Sequence, residues 1–378
     1  MIKFEILKLI KDKLLWLSFA ALILFNSLFI RKAFLIVDDS MEMAAKVACF
    51  GEIDSNNVSF VMEKKRSLED RVLNGVFSTE YDESLYTGYE FSEYWTFNEI
   101  YLEMKRRYAY GEEMEKKASF CIESAEYYKD RNPGLYKHNL ELANSFSGRK
   151  ITEYYDTKNL ERYLNYDVGV MCAVAFMIVS MVLSFDRERR KNAASIMGSC
   201  VESLNRICLV KIFVCIIVTI IGYLLIEIGT AVSFGIADYP RQLLLPLYSI
   251  REFEKTYTNI NIIGFIAIRF LIRSLALVNF GAIFYVLIRL VKNKYLLLIA
   301  MCATCVTMIG MARINALCFN PVVGLGITEL VSDCRSIEIW GMKIYTAKAI
   351  VYGMALESAI LFGIALVHGK LGNNRKCF

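Results

Sequence analysis

Six separated apolar stretches govern what this chain can fold into. They are Leu14–Ile36 (interrupted by Arg31 and Lys32), Val168–Phe185, Cys208–Phe234, Ser274–Leu290, Tyr295–Ala312 and Ala347–Val367. A helix that crosses ~30 Å of hydrocarbon needs ~20 apolar residues, and a helix satisfies its own backbone hydrogen bonds there. Each stretch meets or approaches that length, and 56% of the 378 residues are hydrophobic, too many for an ordinary soluble domain. The expected fold class is an all-α integral membrane protein with six transmembrane helices.

Basic residues set the expected orientation. Lys3, Lys8, Lys11 and Lys13 precede the first span, and Arg187, Arg189, Arg190, Lys191, Arg206 and Lys211 lie between the second and third. Arg289, Lys292 and Lys294 sit in the fourth-to-fifth hairpin, and Lys370, Arg375 and Lys376 in the tail. Six spans place all four groups on one side, which the positive-inside rule makes the cytoplasm, with both termini inside. Residues 37–163 hold 25 Asp/Glu against 17 Lys/Arg, a net of −8, which leaves +13 for the remainder. The basic surplus therefore belongs to loops beside the bilayer, facing anionic lipid or a partner. No basic patch interleaved with aromatics suggests nucleic acid. The first stretch has the basic start of a secretory signal but no small-residue cleavage site follows it, so it reads as an uncleaved anchor.

Between these spans the chain divides readily. Residues 1–13 read as an amphipathic interfacial helix, with Ile2, Ile6, Leu9 and Ile10 on one face. Residues 14–36 form the first span, and residues 37–163 an extracellular, mainly helical domain between the first and second. Residues 164–378 supply the other five spans, with a cytoplasmic segment at 186–210 and a short cytoplasmic tail. Within the domain, Phe91–Arg131 is proline-free and rich in helix formers; its aromatics Tyr94, Phe97, Tyr101 and Tyr108 read as core. Asn261–Arg273 reads as a helix dipping into the outer interface with Arg269 and Arg273 snorkelling, or as an extension of the fourth span. Asn320-Pro321 with Gly324 and Gly326 breaks any long helix after the fifth span, consistent with a re-entrant element covered by protein or water.

Catalytic signatures are thin. His138 and His368 are the only histidines, so no Ser-His-Asp, Cys-His or metal-ligand constellation forms, and no metal site is expected. Gly363–Leu371 misses a phosphate loop by one residue and by Leu371 where Ser or Thr should stand. Cys302 and Cys305 form a CxxC within the fifth span, where cysteine serves as a small apolar filler. Cys49 and Cys121 lie in the outer domain, where an oxidising compartment would allow a disulfide. Glu227 in the third span and Glu357 in the sixth are costly in hydrocarbon, ~2.5–3.5 kcal/mol each when ionised. Each reads as part of a translocation pathway or as the partner of another span's polar group.

The connection Ser184–Lys211 is too long for a turn and too amphipathic for a loose linker. Ala193, Ala194, Ile196 and Met197 form an apolar patch bounded by charge, a pattern that needs a partner surface. Together with the N-terminal helix, six spans and a helical domain after the first, it resembles the membrane subunit of bacterial ABC transporters of the ABC-2 permease family. In that family the second and third spans are joined by an acidic residue, a glycine, an apolar run, a serine or threonine, a basic residue and a lysine. Glu188, Asn192, Ala193–Met197, Ser199, Arg206 and Lys211 fall on those positions, with Asn192 in place of the glycine and Val201 in place of a common proline. The segment from Ser145, SFSGRKITEYYDTKNLERYL, and Asn320-Pro321 followed by IEIWGMKI are also similar to Gram-positive members.

The resemblance implies a multi-pass permease of the bacterial cell membrane, an exporter working with a separate ABC ATP-binding subunit and a second permease copy. ATP and Mg would bind the partner, so this chain would carry no cofactor and no enzymatic activity. Glu188, Asn192, Ile196, Met197, Ser199 and Arg206 would couple it to the ATPase. Two alternatives are a mechanotransmission permease and a membrane sensor or immunity protein whose outer domain binds a peptide.

Overall fold

The computed structural model describes residues 2–34, 40–77, 89–190, 201–238, 240–291, 293–314, 320–332, 336–339 and 342–371. Its first helix, α1 (Ile2–Ile10), buries Glu5 and Leu9 and leaves Ile2, Phe4, Leu7 and Ile10 exposed. Asp12 then caps the first span, α2 (Lys13–Ala33), by accepting a hydrogen bond from the Leu14 amide.

The domain between the first and second spans is built from α3 (Ser40–Ala48), β1 (Gly51–Glu52), α4 (Ser55–Phe77), α5 (Tyr89–Tyr128), α6 (Pro133–Phe146), β2 (Glu153–Tyr154) and α7 (Lys158–Leu164). Its spine is α5, 40 residues and ~60 Å long. Helix α6 starts on Asn132, whose side chain accepts from the Leu135 amide, with Pro133 at the first helical position, and folds back along α5. Gly148, at φ +71°, takes the left-handed turn that ends α6. Strands β1 and β2 pair antiparallel, Gly51 opposite Tyr154. Of the aromatics read as core, Phe97 is buried, Tyr94 and Tyr101 pack half-buried against the same cluster, and Tyr108 is exposed. Cys49 and Cys121 are free thiols in two different clusters.

The remaining spans are α8 (Val168–Arg190), α9 (Val201–Ser233), α10 (Ile262–Leu290), α11 (Lys294–Ile314) and α14 (Thr346–Leu371). With α2 they make six helices long and apolar enough to cross a membrane, as expected of a multi-pass membrane protein. Helices α8, α9 and α10 form the bundle core through Phe176, Met181, Ile212, Ile216, Phe280 and Phe284. Close approach depends on small residues: a Cβ on Gly281 of α10 would lie 2.6 Å from Ile216 Cδ1 of α9, and one on Gly222 of α9 2.9 Å from Phe176. Helix α11 is peripheral, with most of its side chains exposed. Cys302 points outward on it and Cys305 is half-buried, both as free thiols.

In two segments the structure decides between readings that the sequence left open. The fourth span is one continuous helix of 29 residues, Ile262–Leu290, capped by the Asn261 side chain, so 261–273 is not a separate interfacial helix. The segment after the fifth span forms α12 (Pro321–Leu325) and α13 (Ile327–Ser332), then the hairpin β3 (Ser336–Ile339) and β4 (Met342–Tyr345). Pro321, Val323, Leu325, Ile327 and Val331 are buried against the spans, so protein covers this broken backbone, the condition that membrane depth imposes.

Candidate functional site

The polar centre of the molecule lies where the inter-span domain meets the bundle. Arg269 and Arg273, one turn apart on α10, are 1% and 0% exposed. They do not snorkel. Each is bonded to backbone carbonyls of other elements. Arg269 donates from Nη1 to the Tyr163 carbonyl (3.1 Å) and from Nη2 to that of Tyr166 (3.0 Å). Arg273 donates from Nε to the Leu325 carbonyl (2.9 Å) and from Nη1 to Tyr166 (3.3 Å), and pairs with Asp167.

The reason is helix chemistry. Tyr163 and Tyr166 lie where α7 ends and α8 has not begun, and Leu325 ends α12; carbonyls at such ends lack intrahelical donors and carry the negative end of the dipole. The two guanidinium groups bond three carbonyls at two helix ends at once. Their charge is balanced by two carboxylates, Asp167 and Glu227, since buried cations without counter-charges would cost several kcal/mol each.

Glu227, on α9, accepts at Oε1 from the Tyr163 hydroxyl (3.0 Å) and lies 3.4 Å from Arg269 Nη2. The network reaches the first span through Tyr166, which donates to Asn26 Oδ1 (2.7 Å), while Asn26 Nδ2 donates to Thr230 Oγ1 (2.9 Å). Thr328 of α13 donates to the Leu164 carbonyl (2.8 Å). Elements α2, α7, α9, α10, α12 and α13 and the lead into α8 are thus joined by one largely buried set of polar bonds. Of its members the sequence reading singled out Glu227 as a candidate site; Asn26 and Asp167 were missed, although an asparagine inside a span and an acid at a span edge were visible signals.

Above this junction the domain is fastened to the segment between the third and fourth spans, four 3-10 turns over residues 236–253. Tyr110 donates to the Glu254 carbonyl (2.9 Å), Arg149 Nε to Asn259 Oδ1 (2.9 Å), and Arg106 pairs with Glu254. Tyr257 stacks on Tyr345 of β4 with ring centroids 3.5 Å apart, and the His138 ring of α6 lies 5.4 Å from Tyr345. Inside the domain, Arg107 donates to the Glu153 and Tyr155 carbonyls (3.2 Å each) and, with Arg106, binds Glu103. Burial alone would raise the Glu103 carboxyl. The hydrogen bond from Arg106 and the charges of Arg107 and Arg106 outweigh it and hold the group below the ordinary carboxylate range.

Glu357, the other intramembrane acid, is half-buried on α14, and its Oε2 has no hydrogen-bond partner among the described residues. The structure therefore separates the two acids, Glu227 bonded within the junction and Glu357 with an open oxygen. The coupling candidates fall at the opposite end of the bundle. Glu188 lies in the last turn of α8 and Arg206 near the start of α9, while Asn192, Ile196, Met197 and Ser199 lie outside the described residues. No group of three His, Cys, Asp or Glu side chains able to hold a metal ion occurs among the described residues. No family model, curated protein or solved structure matches the chain.

Proposed function

We propose that this chain is the permease subunit of a bacterial ABC exporter, driven by a separate ATP-binding subunit and working with a second permease copy. The observation that carries the reading is the α8–α9 hairpin. Helix α9 has 33 residues, ~50 Å, against a hydrocarbon core of ~30 Å. Its apolar run begins only at Ile207, so the turns from Val201 to Arg206 extend beyond the length the core requires. A basic helical hairpin held below a membrane suits engagement by a cytoplasmic partner. At its other end the same hairpin carries Tyr166, Asp167 and Glu227, so a push on it is delivered to the polar junction.

In this reading the basic loops and both termini are cytoplasmic and the 37–163 domain is outside, in the cell membrane. Glu188, Asn192, Ile196, Met197, Ser199 and Arg206 form the docking segment, and α1 offers a second contact. Glu357, with its open carboxylate oxygen, is the pathway acid, and Glu227 moves with the junction. ATP and Mg belong to the partner. The test is Met197→Asp and Arg206→Glu in the native cell. Both should insert normally yet abolish transport and partner ATPase stimulation, and transport at the wild-type rate in both would refute the docking segment.

One observation favours a second reading. The domain meets the 236–261 segment through Tyr110 and Arg149 and the hairpin through the His138 ring beside Tyr345, an arrangement suited to a mechanotransmission permease that moves its domain rather than a substrate. Vesicles containing both subunits distinguish the two, because this second reading requires ATP-dependent movement of the domain without accumulation of any solute.

A further inference from the structure

Four arginines are buried among the described residues: Arg107, Arg149, Arg269 and Arg273. Three of them have a carboxylate, Glu103 for Arg107, Glu227 for Arg269 and Asp167 for Arg273. Arg149 is 3% exposed and has no carboxylate within ion-pair distance among the described residues. Neutral groups alone hold its guanidinium. Nε donates to Asn259 Oδ1 (2.9 Å), Nη1 reaches the Tyr110 hydroxyl only at 3.5 Å, and Nη2 has no hydrogen-bond partner. The rings of Phe146 and Tyr248 cover the group, with centroids 5.0 and 4.8 Å away.

Ring faces and neutral acceptors return only part of the cost of dehydrating a guanidinium; a counter-charge normally supplies the rest. This uncompensated cation sits in the joint between domain and bundle. Phe146, Arg149 and Tyr110 belong to the domain, and Tyr248 and Asn259 to the segment between the third and fourth spans. Tyr248 also stacks on Tyr110 (5.4 Å) and donates to the Lys150 carbonyl (3.4 Å). Arg149 lies on a strap, Gly148–Thr152, that lines a cleft of about 900 Å³ against the middle of α5. Gly148, at φ +71°, is a pivot directly before it. A short swing of the strap about Gly148 takes the guanidinium from between the rings into water.

We infer that Arg149 is a release latch between the domain and the bundle. Closed, the joint keeps its stacked rings and the bond to Asn259 but holds a dehydrated, unbalanced charge. Open, it gives up those contacts and the charge regains its water. The buried charge thus keeps the closed joint close in free energy to the open one, and a modest force from either side releases it. The strap runs on through β2 into α7, whose Tyr163 carbonyl is bonded by Arg269, so release of the latch is felt at the polar junction. The inference rests on the geometry of the joint and stands whether or not an ATPase pairs with the chain.

The test is hydrogen–deuterium exchange of the full chain in phosphatidylcholine nanodiscs. Two amides report on the strap: Gly148, which donates to Glu115, and Ile53, which donates to the Thr152 carbonyl (2.7 Å). Arg149→Met keeps an unbranched side chain between the rings and removes the charge. It strands no buried partner, because Asn259 is exposed and Tyr110 still donates to the Glu254 carbonyl. Both amides should then exchange about tenfold more slowly, while peptides of α5 over 94–104 exchange as before. Arg149→Lys keeps the charge and should exchange at least as fast as the unaltered chain. Four results would overturn the inference: exchange in Arg149→Met no slower than in the unaltered chain, failure of that variant to fold, equal slowing along α5, or slowing in Arg149→Lys as well.

Discussion

Removing a guanidinium from a buried, charge-balanced set leaves behind whatever it was bonding. Arg269→Ala leaves the buried Glu227 carboxylate without its counter-charge, so it should cost ~3–5 kcal/mol of stability in detergent-solubilised protein. Replacing the pair together, Arg269→Met with Glu227→Leu, removes charge and counter-charge at once and should recover much of that loss. Additive single-variant effects in thermal unfolding would show that the two side chains do not act as a pair. Glu103 gives a pH-dependent counterpart outside the membrane. Its carboxyl is depressed in the folded chain, so the stability it contributes is present above the unfolded value of ~4.3 and is lost as pH falls through the lower folded value. Glu103→Gln should therefore lower stability by about 1 kcal/mol near neutrality, and the gap to the unaltered chain should close below pH ~4. A gap that persists unchanged into that acidic range would place the contribution of Glu103 in packing rather than charge.

Helix contacts within the bundle turn on two glycines. Gly281→Ala puts a methyl group 2.6 Å from Ile216 Cδ1 in a dense part of the core, and should cost ~1–3 kcal/mol. Ile216→Ala in the same chain should relieve part of that cost, seen as a favourable coupling energy in a double-mutant cycle; independent effects would mean that α9 and α10 shift apart instead. The elements themselves were legible in the amino-acid sequence because membrane spans and long helices are local patterns. All six apolar stretches became helices, and the run 91–131 fell on α5. The start of the fourth span stayed open between an interfacial helix and an extension of the span, which it is, because Arg269 and Arg273 read as charges seeking water. Their partners are carbonyls of residues 163, 166 and 325, about 50 to 110 positions away, and no local pattern announces an open carbonyl. Glu227 was legible as an anomaly, but its partners Tyr163 and Arg269 were not.

At the scale of the whole molecule, charge and architecture point the same way. The domain that carries a net −8 sits at one end of the bundle, and α1 packs with the ends of α2 and α9 at the other. If the positive-inside rule orients the chain, the domain end faces outward and its exposed turn at Lys129–Arg131, between α5 and α6, is open to added protease. Trypsin applied to intact protoplasts should then cut within that turn and give two fragments that separate near residue 130, after reduction and denaturation. The basic hairpin around Arg289 and Lys294 should resist until the membrane is broken. The opposite orientation reverses both results, with cleavage at the hairpin in intact cells and protection at 129–131. Such a reversal would place the α8–α9 extension outside, out of reach of any ATPase. The permease reading would then fail.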